Sequence, residues 1–143
     1  MSGKSANLFD PEGTMTQGGF SEVLLRAQGW QNMPYAVEPN KKQMMAGLPD
    51  YQPNSPITRQ MAAVMIQNLK HAAPGTNVKL SGQTDTWAVE AIAALVSQGI
   101  IDPDTKINSD ASIDFRSKQL LKRQEASALL DQAFDYYSLP ISH

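Results

Sequence analysis

The sequence contains no cysteine, which excludes disulfide bonds, thiolate metal sites and cysteine nucleophiles. It also lacks an excess of charge: 12 Lys and Arg stand against 14 Asp and Glu, for a formal net charge of −2. Nucleic-acid binding domains usually carry a clear positive excess. No apolar run approaches the roughly 20 residues needed to cross a bilayer, and residues 1–7 lack the basic-then-apolar order of a secretion signal. We therefore expect neither a nucleic-acid partner nor membrane insertion.

Histidine is scarce as well, and no pattern indicates catalysis. The two histidines, His71 and His143, do not form a spaced metal-binding pair on a helix. There is no glycine-rich phosphate loop and no nucleophile-elbow pattern. Residues 102–110 superficially resemble a calcium loop, but the glycine and the closing glutamate of an EF-hand are missing. We therefore predict a protein that is not an enzyme and uses neither a metal nor a cofactor.

The composition is that of one globular domain. The chain has 143 residues, of which 41% are hydrophobic and 18% charged. This length allows a substantial core, and this balance argues against wholesale disorder. We expect a single domain over residues 1–143.

A short pattern occurs three times: an apolar residue, a capping or polar residue, a long polar or cationic residue, and then a helix with one apolar stripe. We number its five opening positions and call residues 15–19, 57–61 and 121–125 the first, second and third motifs. The apolar stripe follows the i, i+3, i+4, i+7 spacing of a helix with one buried face. Such a helix cannot bury its face alone, so the three must pack together. The stripe residues are Phe20, Val23, Leu24 and Ala27; Ala62, Met65, Ile66 and Leu69; and Ala126, Leu129, Leu130 and Ala133.

The same pattern predicts an all-α fold with about five helices and irregular connections. We expect a helix from Thr16 to about Gln28, a second from Thr58 to about His71, and a last one from Ser117 or a neighbour to about Tyr137. Between them, Pro34 and Pro39 interrupt residues 30–56, where we expect a short helix with Pro39 in its first turn and its end at Gly47. Another helix begins at Thr84 or Asp85 and ends at Gly99, with a stripe that includes Ile92 and Leu95. We expect eight large side chains to be buried in the core: Phe20, Leu24, Met65, Ile66, Ile92, Leu95, Leu129 and Leu130. Short extended pieces are expected around residues 106–107 and 113–115.

Residues 84–134 resemble a repeat of the S-layer homology family. The resemblance rests on Asp85, Trp87-Ala88, Ala91-Ile92, Leu95, Gly99-Ile100-Ile101, Phe115 and the third motif, Leu121-Lys122-Arg123-Gln124-Glu125. Residues 35–69 resemble a weaker copy, ending in Pro56-Ile57-Thr58-Arg59, and residues 9–27 resemble the second half of one. The corresponding repeats span about residues 80–137, 30–72 and 5–29. The resemblance implies a pseudo-threefold helical assembly.

The resemblance also implies a function. S-layer homology repeats anchor exported proteins to a cell-wall polysaccharide, often one that bears ketal-linked pyruvate, so an extracellular location at the cell wall or S-layer is expected. A cytosolic location also fits the cysteine-free composition. All three motifs depart from the family pattern. Gln17 and Gly19 replace the Arg and Glu of the first, Met61 replaces the Glu of the second, and Lys122 replaces the Thr of the third.

Arg59 and Arg123 are the main candidate ligand-binding residues. An Arg in the first turn of a helix opposes the helix dipole, a placement that is understandable if the guanidinium grips a carboxylate through two hydrogen bonds. Because both arginines lie off the apolar stripe, we expect their removal to affect folding little. Gln17, with one donor group and no charge, is expected to be a residual or inactive site whose replacement by Ala does almost nothing.

Three further residues complete the predicted site. Trp87 offers a flat face for a sugar ring but lies near the stripe of its helix, so a core position is the alternative. Asp85 can accept hydrogen bonds from sugar hydroxyls, and also suits the N-cap of that helix. Glu125 belongs to the site as the acidic residue of the third motif.

Two functions remain open from the sequence. The first is a non-catalytic anchor for an acidic polysaccharide. The second is a structural or protein-interaction module that keeps the helical assembly without binding glycan. In the second case the partner is another protein chain. The incomplete first repeat also predicts that residues 1–13, or a second chain, cover apolar surface on the rest of the domain.

Overall fold

A computed structural model describes residues 13–27, 34–71, 73, 75, 78–100 and 106–134. In chain order, the helices are α1 (Gln17–Ala27), α2 (Pro34–Met44), α3 (Arg59–Lys70), α4 (Thr86–Ser97) and α5 (Arg123–Phe134). The strands β1 (Lys106–Ile107) and β2 (Ile113–Asp114) form a short antiparallel hairpin between α4 and α5, in which Ile107 pairs with Ile113. Over the described residues the protein is mainly helical, as predicted.

Helix α3 is the centre of the molecule. It contacts each of the other four described helices, and every residue from Arg59 to Ile66 is buried. A helix surrounded by other helices needs apolar residues on all its faces, and the run Met61-Ala62-Ala63-Val64-Met65-Ile66 supplies them. Its last turn ends at His71, which adopts a left-handed backbone conformation with φ of 55° and donates its backbone N–H to the Gln67 carbonyl.

The predicted stripes form the core. All eight large side chains that we expected to be central are buried in one cluster. They are Phe20, Leu24, Met65, Ile66, Ile92, Leu95, Leu129 and Leu130. The stripe is not equally covered everywhere, because Val23 and Leu69 are only partly buried against this cluster.

The three motifs are hydrogen-bonded to one another. Isolated antiparallel bridges join Thr14 to Lys122, Thr16 to Pro56 and Thr58 to Leu120. At motif position 3, the backbone N–H groups of Gln17, Arg59 and Arg123 donate to the carbonyl oxygens of Ser55, Gln119 and Gly13, at 2.8, 2.9 and 2.9 Å. Each acceptor lies four residues before position 3 of its own motif. Each motif therefore donates to one neighbour and accepts from the other.

Two helix predictions were wrong. The last helix begins at Arg123 rather than near Ser117, because residues 117–120 form a turn whose carbonyl groups accept hydrogen bonds from the start of α3. Pro39 lies in the middle of α2 rather than in the first turn of a shorter helix; there the proline lacks an N–H to bond to the preceding turn. The expectations for residues 1–12 and for the helix end at Tyr137 lie outside the described residues.

Candidate functional site

The first motif and the chain around residues 51–57 meet at what we call the first joint. Gln17 is buried here, and its side-chain oxygen accepts the Gln52 backbone N–H at 2.7 Å. Its amide nitrogen donates to the Pro56 carbonyl at 3.3 Å. One neutral side chain thus satisfies two backbone groups of the facing segment. Gln17 therefore has a structural role at this joint, because its loss leaves those groups without their partner.

The second motif and the chain around residues 115–121 form the second joint. Arg59 is completely buried; its Nε donates to the Phe115 carbonyl at 2.8 Å, and its guanidinium lies 4.9 Å from the centre of the Phe115 ring. Its Nη1 is 3.1 Å from Oε2 of Glu125. The expectation that Arg59 lies away from the core was therefore wrong. The apolar stripe identifies only the face of α3 that packs against the other stripes. The N-terminal turn of α3 is covered by residues 115–119, which no stripe predicts.

Glu125 holds several groups at the second joint. Its Oε1 accepts the Lys122 backbone N–H at 2.9 Å, which is the backward hydrogen bond of a capping box. Its Oε2 pairs with Arg59 and lies 3.7 Å from Nη2 of Arg116. The carboxylate is buried. Of the predicted site residues, Arg59 and Glu125 are therefore the two that are brought into direct contact, and they contact each other.

The third motif meets the chain at residues 13–15, which we call the third joint. Arg123 donates its backbone N–H to Gly13 as described above. Its side chain is partly exposed. Its Nε is nevertheless buried and has no hydrogen-bond acceptor among the residues that the structure describes. Arg123 thus differs from Arg59, whose Nε has the Phe115 carbonyl as its acceptor.

Asp85 lies at the N-cap position of α4, but its side chain makes no capping bond. The expected capping role was therefore wrong. The carboxylate instead accepts from the Gln60 amide at 2.8 Å and lies 3.0 Å from Lys118 Nζ, while Gln60 accepts the Asp85 backbone N–H at 3.0 Å. The hydrogen bonds from Lys118 and then Gln60 lower the pKa of Asp85 below its ordinary value of 3.8. Asp85 links the starts of α3 and α4 to the turn before α5.

Trp87 lies on α4 and is half-buried against the core. It lines a mainly apolar cavity of about 670 Å³ between α3 and α4, together with Val64, Gly75 and Ala93. Trp87 is therefore partly in the core, as its position near the apolar stripe predicted. Trp87 is not among the residues that line the groove described next.

The larger groove, about 720 Å³, lies beside the N-terminus of α1. Its lining includes Gly18, Gly19, Lys41, Lys42 and Tyr51. Glu22 also lines it, but this carboxylate lies 3.8 Å from Arg26 one turn later on α1. We call this the α1 groove. The sequence analysis missed its two lysines and its tyrosine, although the pair Lys41-Lys42 ten residues before an aromatic residue was visible in the least regular part of the chain.

The α1 groove is lined by glycines at two motif positions where the second motif has larger side chains. At motif positions 4 and 5 the second motif has Gln60 and Met61, both buried, whereas the first motif has Gly18 and Gly19. Gly18 approaches the facing chain closely: its N–H donates to the Pro53 carbonyl at 2.9 Å, and a Cβ at this position would lie 3.0 Å from the same oxygen. The first motif therefore presents backbone where the second presents side chains.

The described part of the chain offers little for other chemistry. It contains no group of three or more His, Asp or Glu residues that could hold a metal ion. None of the described helices is long and apolar enough to cross a membrane. Comparison of the chain with protein-family models, curated proteins and solved structures gives no match.

Proposed function

We propose that the protein is a degenerate S-layer homology module that anchors a larger protein to an acidic cell-wall polysaccharide. The α1 groove carries this proposal, because its lining combines two lysines and a tyrosine. Lysines attract anionic groups, and the tyrosine ring offers a face against which a sugar ring can pack. The proposed location is extracellular, at the cell wall.

The hydrogen bonding among the motifs supports the architecture that this proposal requires. Three motifs, each donating to one neighbour and accepting from the other, are what a pseudo-threefold arrangement of related repeats produces. The α1 groove borders the first joint, since it is lined by Thr16, Gly18 and Pro53.

A second function is favoured by the second joint. There, Arg59 and Glu125 are used inside the protein, where they join two parts of the chain. This is what a structural or protein-interaction module without glycan affinity requires, since the charged motif residues then serve only to hold the assembly together. The two functions differ at the α1 groove: an anchor binds the polysaccharide there, whereas a structural module does not.

Sedimentation with purified cell-wall sacculi distinguishes them. We expect the protein to sediment with sacculi that carry their acidic polymer and to stay in solution when the polymer has been extracted. The variant Lys41→Ala/Lys42→Ala should bind at least about tenfold more weakly, the scale of one charge-assisted hydrogen bond. Tyr51→Ala should also weaken binding, whereas Tyr51→Phe keeps the ring and should retain most of it.

The matched control removes the same amount of charge elsewhere. Lys79→Ala/Lys118→Ala deletes two positive charges whose side chains are 68% and 51% exposed and do not line the α1 groove. If this control weakens sedimentation as much as Lys41→Ala/Lys42→Ala does, binding is a general charge effect and the groove is not the site. If the unmodified protein does not sediment with polymer-bearing sacculi, the anchoring function is wrong and the structural module takes its place.

A further inference from the structure

The cavity of about 670 Å³ between α3 and α4, which we call the Trp87 cavity, is lined by a face of α4 that differs from its core stripe. The lining residues on this face follow the i, i+3, i+4, i+7 spacing of one side of a helix. They are Trp87, Glu90, Ala91 and Ala94. Helix α3 contributes Val64, Gln67 and Asn68 to the same lining. The two helices therefore leave a space between them in addition to the core that they share.

Small residues leave the Trp87 cavity its volume. Alanines and glycines make up half of the described lining: Ala46, Gly47, Gly75, Ala91, Ala93 and Ala94. Gly75 lies directly against α4, since a Cβ at this position would be 2.2 Å from the Ala93 carbonyl oxygen. Only glycine permits so close a contact. The resulting space has the size of a site for a small organic molecule.

The charge in the Trp87 cavity comes from Glu90. Among the described residues that line the cavity, it is the only charged one. Its side chain is exposed and has no ion-pair partner in the described part of the chain. The last turn of α3 and the first turn of α4 both reach the cavity, and the partial charges of these two helix ends have opposite signs. Glu90 therefore makes the cavity electronegative.

Trp87 lies one turn before Glu90 on the same helix. Residues with this i, i+3 spacing are neighbours on a helix surface. Among aromatic rings, indole attracts a cation most strongly, and quaternary ammonium groups are typical ligands of such rings. A metal ion is a poorer fit, because the described residues contain no group of three or more His, Asp or Glu that could hold one. Trp87 and Glu90 together suit an organic cation.

We propose that the Trp87 cavity binds a small organic ammonium ion. The positive group lies against the Trp87 indole and the Glu90 carboxylate, and its alkyl groups contact apolar lining such as Val64 and Ala91. This inference does not rest on the anchoring function. Neither Trp87 nor Glu90 lines the α1 groove, and the ligand has the opposite charge to the polysaccharide proposed there.

Choline is a suitable probe. Titration of the ¹⁵N-labelled full chain with choline chloride, against sodium chloride at matched ionic strength, should give a saturable shift of the Trp87 indole N–H signal. That signal is assigned by its loss in Trp87→Phe. The neutral alcohol in which carbon replaces the choline nitrogen has the same shape and should bind about tenfold more weakly, since it lacks both attractions of the charge. Equal affinity for the two compounds, or no saturable shift with choline, would overturn the inference.

Glu90→Gln tests the carboxylate. This variant should bind choline about threefold to fivefold more weakly, the scale of an exposed ion pair. Glu22→Gln is the matched control, because it removes the same charge from a side chain that is 67% exposed and does not line the Trp87 cavity. The control should bind choline as the unmodified protein does. An equal loss in the two variants would mean that choline responds only to overall charge, which contradicts a site at Glu90.

Ala91→Leu tests the cavity itself. The larger side chain should fill part of the space and abolish the choline-dependent shift while both Trp87 and Glu90 remain. Unchanged binding in a folded Ala91→Leu protein would place choline outside the cavity and overturn the inference. If this variant fails to fold, as judged by circular dichroism, the comparison of Glu90→Gln with Glu22→Gln decides. A glucose titration that shifts the Trp87 signal at lower concentration than choline would make Trp87 a sugar contact and would also overturn the inference.

Discussion

The first and second joints share one backbone plan and differ in the side chain that completes it. At the first joint, the neutral amide of Gln17 bonds to the facing backbone and needs nothing more. At the second, Arg59 also bonds to a facing carbonyl but brings a charge that Glu125, from the third motif, neutralises. The first joint is formed by two chain segments around a neutral residue. The second joint also needs α5, which supplies the carboxylate that neutralises the arginine. The comparison shows that a charged residue of the motif can serve the fold itself. Its partners in the structure must therefore be known before it is assigned to a ligand.

The largest expected effect comes from breaking the buried pair. Glu125→Ala leaves Arg59 buried without its carboxylate and should lower the free energy of unfolding by about 3–5 kcal/mol. Arg59→Ala should cost a similar amount, and the double variant clearly less than the sum of the two. Chemical denaturation measures all three.

The neutral joint should be less sensitive. Gln17→Ala should cost about 1–3 kcal/mol, because it leaves two partly buried backbone groups without a partner. Glu22→Ala, which removes an exposed residue of α1 from a 3.8 Å surface pair, should change stability by no more than about 1 kcal/mol. A cost for Glu125→Ala as small as that for Glu22→Ala would show that the second joint does not depend on its charge pair.

The apolar stripes of α5 and α1 differ in how deeply they are buried. Leu129 of α5 is fully buried, so Leu129→Ala should cost about 2–5 kcal/mol, as expected for emptying a core position. Val23, at the same stripe position of α1, is only partly buried, and Val23→Ala should cost clearly less. Leu120→Ala serves as the control, because this leucine is 44% exposed. Thermal unfolding of the three variants should rank them in the order Leu129, Val23, Leu120, and equal costs would mean that burial does not govern the stripe.

The two glycines of the first motif should behave differently from each other. Gly18→Ala places a Cβ 3.0 Å from the Pro53 carbonyl and 3.2 Å from the Pro53 Cβ, and should cost about 1–3 kcal/mol. Gly19→Ala meets only the Thr16 hydroxyl, at 3.0 Å, and gains roughly 1 kcal/mol of helix propensity. We therefore expect Gly19→Ala to be near neutral. Denaturation midpoints that fall equally in the two variants would contradict the close approach at Gly18.

The smallest effect concerns pH at Asp85. Lys118 and Gln60 lower the pKa of this carboxyl in the folded protein, so it stabilises the fold above its ordinary pKa of 3.8. That contribution should disappear as the pH falls below 3.8 and through the lowered folded-state pKa. Asp85→Asn should therefore melt at a lower temperature than the unmodified protein at pH 7, and the difference should close in acid. Added salt should reduce it at neutral pH, since Lys118 and Asp85 are partly exposed. A difference that persists unchanged in acid would show that the charge of Asp85 is not its source.

The helices and their buried faces were determined locally, and the sequence predicted them well. The period of 3.6 residues identifies a buried face without reference to any partner, which is why the eight expected core side chains are all buried. Thr16 and Thr58 likewise cap α1 and α3 by accepting the N–H groups of Gly19 and Met61, at 2.9 and 3.4 Å. A cap lies within one turn of its helix, so residue order alone reveals it.

Only the tertiary structure decided what the polar residues do. Arg59 and its partner Glu125 are 66 residues apart, and no periodicity reveals that the turn before α5 covers the start of α3. The same is true of Asp85, whose carboxylate bonds to Gln60 and Lys118 instead of capping α4. The α1 groove depends on the fold bringing Gly18 and Gly19 into one lining with Lys41, Lys42 and Tyr51. Apolar burial follows from a pattern within one helix, whereas a charge is satisfied by whichever segment the fold brings to it, and that is a property of the assembled chain.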